Sequence, residues 1–89
     1  MPGQSYNVAV VPVGGVEIVV VHVDAASCST PEMQTRSLKF FQARMLGKNV
    51  VLMYVDLTRR PVYMGSPNLV AALSRKGMHD LNWQKVVMA

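Results

Sequence analysis

Three residues have side chains and positions that suit chemistry: Asp24, Cys28 and Asp56. Each aspartate directly follows an apolar run that predicts a β-strand. If these two strands are parallel neighbours, both carboxylates lie at the carboxyl edge of the sheet, where open α/β sheets bind ligands. Such a pair could bind Mg²⁺ or share a proton. The competing interpretation is that each aspartate ends its strand and accepts hydrogen bonds from nearby backbone amides.

Cys28 comes shortly before the first predicted helix. Amide groups at a helix N-terminus lower the pKa of a thiol, and a histidine such as His22 or His79 could activate it as a nucleophile. No second cysteine forms a CxxC motif, because the chain has one cysteine. The competing interpretation is an inert small residue in a turn. We therefore assign no catalytic residue and expect a protein that is not an enzyme.

The spacing of the remaining ligand-type residues predicts neither a metal site nor a cofactor site. His22 and His79 are isolated from other histidines, and no cluster resembles a zinc site. Gly14-Gly15 lies between two predicted strands, and Gly65-Ser66-Pro67 lacks the lysine and further glycines of a phosphate-binding loop.

Positive charge is concentrated in the second part of the chain. Residues 1–35 contain three acidic residues and no Lys or Arg, whereas residues 36–89 contain nine basic and two acidic residues. Such asymmetry suggests an anionic partner, since loop cations at one end of a sheet can together bind phosphates. The candidate residues are Lys48, Arg59, Arg60, Arg75 and Lys76. The competing interpretation is a scattered solvated charge, because no nucleic-acid motif is present.

A hairpin is the clearest predicted element. Tyr6–Val13 and Val16–Asp24 are rich in β-branched residues, and only Gly14-Gly15 separates them, as in a two-residue turn. This turn predicts that Val13 pairs with Val16, Val11 with Ile18, Ala9 with Val20, and Asn7 with His22. Pro12 has no N–H to donate, so we expect the first strand at a sheet edge. The second strand is apolar on both faces over most of its length, which is typical of an inner strand.

Caps and apolar runs predict the other elements. Ser29-Thr30-Pro31-Glu32 opens a helix over about residues 31–46, and Ser66-Pro67 opens a second helix that ends at Arg75-Lys76-Gly77. A central strand is expected over Asn49–Asp56, a short antiparallel partner over Pro61–Met64, and a last strand over residues 83–88.

The predicted order β-β-α-β-β-α-β describes one α+β domain over residues 1–89. We expect a five-stranded mixed sheet with both helices on one side, which makes a two-layer sandwich. The alternatives are one helix on each side, or coverage of the second face by the N-terminal segment. Because the second and third strands are apolar on both faces, an open sheet face would need a cover. A second copy of the chain or another protein is the expected cover.

The sequence thus favours a non-catalytic interaction module that forms a homodimer or binds another protein. The alternatives are a nucleic-acid or polyanion binder that uses the basic residues, and a ligand-binding protein or enzyme that uses Asp24 and Asp56. The longest uncharged apolar stretches are far shorter than the roughly 20 residues of a membrane span. A single cysteine and no visible secretory signal favour a cytoplasmic location.

Overall fold

A computed structural model describes residues 4–45, 47–75 and 81–88 of the protein. The chain folds around a five-stranded mixed sheet. The strand order is β4-β3-β2-β1-β5, with β2 and β3 parallel and all other neighbours antiparallel. The elements are β1 Gln4–Val13, β2 Val16–His22, a 3₁₀ helix Ala25–Cys28, α1 Pro31–Arg44, β3 Asn49–Val55, β4 Pro61–Met64, α2 Pro67–Leu73 and β5 Gln84–Met88. The predicted α+β class, mixed sheet and two helices are confirmed.

The β1–β2 hairpin has the predicted register, in which Val13 pairs with Val16 and Asn7 with His22. Gly14 and Gly15 adopt φ angles of 55° and 81°. Two successive positive φ angles are those of a type I′ turn, whose twist matches that of the flanking strands. The two glycines therefore fix which side chains of β1 and β2 share a face.

The prediction that β1 is an edge strand is wrong, because β1 lies between β2 and β5. However, β5 pairs only with Gln4–Val8 of β1. Pro12 pairs with Glu17 of β2 and lies beyond the end of β5. The missing N–H of Pro12 therefore interrupts no ladder between the described strands.

The two helices pack on opposite faces of the sheet. Phe41 of α1 packs with one set of alternating strand residues, which defines the α1 face: Val8, Val19, Val21, Val50 and Leu52. Leu73 of α2 packs with the other set, which defines the α2 face: Ala9, Val11, Ile18, Val20, Val51 and Met53. The sheet thus has one helix on each side, the alternative arrangement, and the two-layer placement with both helices on one side is not the one observed.

Chain connectivity explains this placement. α1 connects the neighbouring parallel strands β2 and β3, and it covers one face there. The chain after β4 must then cross from one edge of the sheet to the other to reach β5. In this crossing segment, α2 packs on the face that α1 leaves uncovered, together with Leu81 and Trp83. The central strands are consequently buried on both sides, with Val20 and Val21 each 0% exposed.

This burial corrects the expectation of an open face over β2 and β3. Their two-faced apolar pattern, which suggested a second copy of the chain as a cover, is satisfied by the chain's own helices. Any interface with a partner must therefore use another part of the surface.

Element ends differ from the sequence predictions by a few residues. The Thr30 hydroxyl caps α1 by accepting a hydrogen bond from the N–H of Met33 at 3.1 Å, whereas the Ser29 hydroxyl donates to the Met33 sulfur at 3.3 Å. α1 ends at Arg44, and α2 ends at Leu73. The expected end of α2 at Lys76 and Gly77 lies outside the described residues, and the 3₁₀ helix was not predicted.

Replacing Leu73 with Ala tests whether α2 closes its face of the sheet. Leu73 is 0% exposed, so its truncation should lower the free energy of unfolding by about 2–5 kcal/mol. Leu57→Ala is the matched control, because Leu57 is 104% exposed and its loss should change stability by less than about 0.5 kcal/mol. Urea unfolding measures both. Equal effects of the two substitutions would contradict the placement of α2.

Candidate functional site

A groove lies where β2 ends and β1 continues without it. β2 pairs with β1 as far as His22 and Asn7, and the N–H of Val23 then donates to the Met53 carbonyl of β3 at 2.9 Å. β1 extends three residues further, to Gln4, and there pairs with β5. The resulting groove, here called the β2 notch, has a volume of about 930 Å³, and α1 forms its other wall. Its lining includes Tyr6, His22, Asp24, Arg36, Phe40 and Phe41.

Aromatic rings form one wall of the β2 notch. The rings of Tyr6 and Phe41 meet edge to face, with centroids 4.8 Å apart and planes at 89°. Phe40 and Phe41 meet in the same way, at 5.0 Å and 83°. The Arg44 guanidinium lies 3.5 Å from the centre of the Phe40 ring. Edge-to-face contacts hold such rings in fixed orientations. This wall is therefore a preformed aromatic surface, part of which the Arg44 guanidinium covers.

Asp24 is exposed at the carboxyl end of β2 and lines the notch, as its predicted ligand-binding role requires. It occupies the N-cap position of the 3₁₀ helix, yet its side chain forms no capping hydrogen bond. The interpretation that Asp24 only ends its strand therefore lacks the hydrogen bond to the backbone that it predicts. Its neighbour His22 is half-buried, with its ring 5.8 Å from that of Trp83.

Asp56 follows the parallel neighbour β3, so the topology needed for a carboxylate pair is present. Its Oδ1 accepts three hydrogen bonds, from the Thr58 hydroxyl at 2.6 Å, the Thr58 N–H at 2.8 Å and the Arg60 N–H at 2.9 Å. These bonds close the loop between β3 and β4, and they match the turn interpretation. The groove residues around Asp24 do not include Asp56. Within the described residues, no group of three His, Cys, Asp or Glu side chains is placed to hold a metal ion.

The loop hydrogen bonds lower the pKa of Asp56, and the Thr58 hydroxyl contributes most. A lowered folded-state pKa means that the ionised carboxylate stabilises the fold above the unfolded-state pKa. That stabilisation is lost as the pH falls through the folded-state pKa. Thr58→Val should therefore raise the pKa of Asp56, as followed by NMR titration of its carboxyl carbon. Thr35→Val, which removes a hydroxyl bonded to the Pro31 carbonyl in α1, should leave it unchanged, and an equal rise would contradict the loop account.

Cys28 is 3% exposed and packs in the core cluster of the α1 face. It ends the 3₁₀ helix, while Thr30 caps α1, so the thiol does not occupy the N-cap of that helix. Burial raises the pKa of Cys28. A raised pKa leaves less thiolate at neutral pH, which supports the inert interpretation. His79, one of its suggested partners, lies outside the described residues.

Native Cys28 should react with a thiol reagent such as DTNB on the order of a hundredfold more slowly than an exposed thiol. The matched control is the double variant Cys28→Ser/Ser29→Cys, because position 29 is exposed. Urea should bring the two rates together. Equal rates in the native state would show that Cys28 is accessible.

The candidate anion-binding residues occupy different parts of the structure. Lys48 precedes β3, whereas Arg59 and Arg60 follow it, and the seven residues of β3 span roughly 20 Å. Arg75 follows α2, and Lys76 lies outside the described residues. The placement therefore separates Lys48 from the arginine pair, and no single patch contains these three cations.

Arg36, Phe40 and Tyr6 were not singled out from the sequence. Arg36 and Phe40 are four residues apart on α1, so one helix face presents both, and that spacing was a readable signal. Their position opposite Asp24 could not be predicted from the sequence, because it depends on where β2 stops pairing with β1.

No family model matches this sequence, and neither curated proteins nor solved structures show a significant similarity to it. None of the helices within the described residues is long and apolar enough to cross a membrane.

Proposed function

We propose that the protein is a non-catalytic interaction module that self-associates through β5 and the sheet surface beside it. The observation that carries this proposal is the exposure of three valines on and near β5. Val10 is 51% exposed, Val86 36% and Val87 69%. We call these residues the β5 flank.

The β5 flank includes residues of both sheet faces. Val86 pairs with Tyr6, and Val10 with Val19, so both lie on the α1 face beyond the residues that the helix buries. Val87 pairs with Ser5 and lies on the opposite face. Exposed apolar side chains on both faces of an edge strand are typical of an interaction surface.

The two edges of the sheet differ in their protection. β4 has four residues, begins with Pro61, and follows Arg59-Arg60. Proline and charge are devices that prevent an edge strand from pairing with another chain. β5 has five residues and contains a single charged residue, Lys85. The outer side of β5 is thus the edge better suited to main-chain pairing.

A two-fold axis beside β5 would pair this strand with its copy in antiparallel fashion. Each chain then contributes the same surface, as in most homodimers. The two sheets would become continuous, and valines from both copies would pack across the seam. Polyanion binding remains an alternative, but the separation of Lys48 from the arginine pair gives it less support.

Light scattering at low and high salt tests the proposal. We expect a dimer at micromolar concentration in both conditions, because apolar burial is insensitive to salt screening. Val87→Lys should weaken the dimer by at least about tenfold, since a charge would be placed in the seam. Leu57→Lys is the matched control, because Leu57 is fully exposed in the loop at the far edge. A wild-type monomer at both salts would refute self-association.

A further inference from the structure

The β2 notch combines opposite charges with an apolar wall. Asp24 comes from the end of β2 and Arg36 from α1, and both are exposed at the groove. Phe40 lies one helical turn along from Arg36, and Phe41 follows it on the buried face of the helix. The proposed self-association does not use these residues, although Tyr6 of the notch pairs with Val86 of the β5 flank.

We infer that the β2 notch binds a short peptide with free ends and an apolar side chain. Arg36 pairs with the terminal carboxylate, and Asp24 with the terminal ammonium group. Guanidinium groups suit carboxylates because they donate two parallel hydrogen bonds. Tyr6 and Phe40 of the aromatic wall receive the apolar side chain, and the buried Phe41 holds both rings from behind.

The shape of the notch favours a peptide over a compact ion. Its volume of about 930 Å³ is at the upper end of the range for small-molecule sites, which leaves room for more than one amino acid. None of the described strands pairs with residues 4–6 of β1 on the side of β2. An extended peptide can lie along a strand that has no neighbour there.

The opposite charges of the lining favour a peptide with both ends free. An internal segment of a protein could meet both charges only with an acidic and a basic side chain of its own, and inorganic phosphate offers nothing to Asp24 or to the aromatic wall. A zwitterionic peptide matches all three features of the notch.

NMR titration with the dipeptide phenylalanyl-leucine, its N-acetylated form and its C-amidated form tests this inference. We expect saturable shifts at notch residues, and about fivefold weaker binding when either end is blocked, the range of an exposed ion pair. Arg36→Gln should weaken only the peptides with a free carboxylate, and Asp24→Asn only those with a free ammonium group. Lys39→Gln, a matched loss of a cation on α1, should change nothing.

The amide spectra also report whether each variant is folded. No saturable shift up to about 10 mM would overturn the inference. Equal weakening of all three peptides by Arg36→Gln, or an effect of Lys39→Gln as large as that of Arg36→Gln, would overturn it as well. Either result would show that the paired charges do not select the peptide's ends.

Discussion

The rest of the structure depends on burying the central strands on both faces. β2 and β3 are apolar at nearly every position, and neither face of them can remain in water. A chain with two helices satisfies this constraint by placing one helix on each side. The two helices thus cover the central strands and β4. They do not cover β5, whose valines stay exposed at the edge of the sheet. The proposed interface is in this sense a consequence of how the core is covered.

The β2 notch follows from the same arrangement. β2 must leave β1 to begin the crossover through α1, and the N–H of Val23 bonds to β3. β1 nevertheless continues, because β5 pairs with its first residues. The difference in length between the two ladders creates the groove, and the path of α1 places Arg36 and the aromatic wall opposite Asp24.

Local chemistry made much of the fold predictable. Gly14-Gly15 between two β-branched runs was sufficient for the hairpin and its register, and Thr30-Pro31 was sufficient for the start of α1. Pro12 shows the limit of such rules. Its effect depends on where β5 ends along β1, and that is a relation between residues far apart in the sequence. The placement of the helices on opposite faces is also non-local, since it depends on β4 and β5 lying at opposite edges.

The candidate site was predictable in part for the same reason. Asp24 was readable as a carboxylate at the end of a strand, but so was Asp56, whose loop engages its carboxylate in three hydrogen bonds. Only the geometry of the loop after Asp56 distinguishes the two carboxylates. Cys28 looked like a helix-terminal thiol, and the 3₁₀ helix that buries it has no strong sequence signal.

Amide hydrogen exchange at low and high protein concentration tests the central claim most directly. The account predicts slow exchange in β2 and β3 at both concentrations, because one chain buries these strands by itself. It predicts that the β5 amides exchange more slowly as the concentration rises, because the outer side of β5 then pairs with its copy. Exchange in β5 that is independent of concentration, or protection of β3 that requires high concentration, would contradict the account.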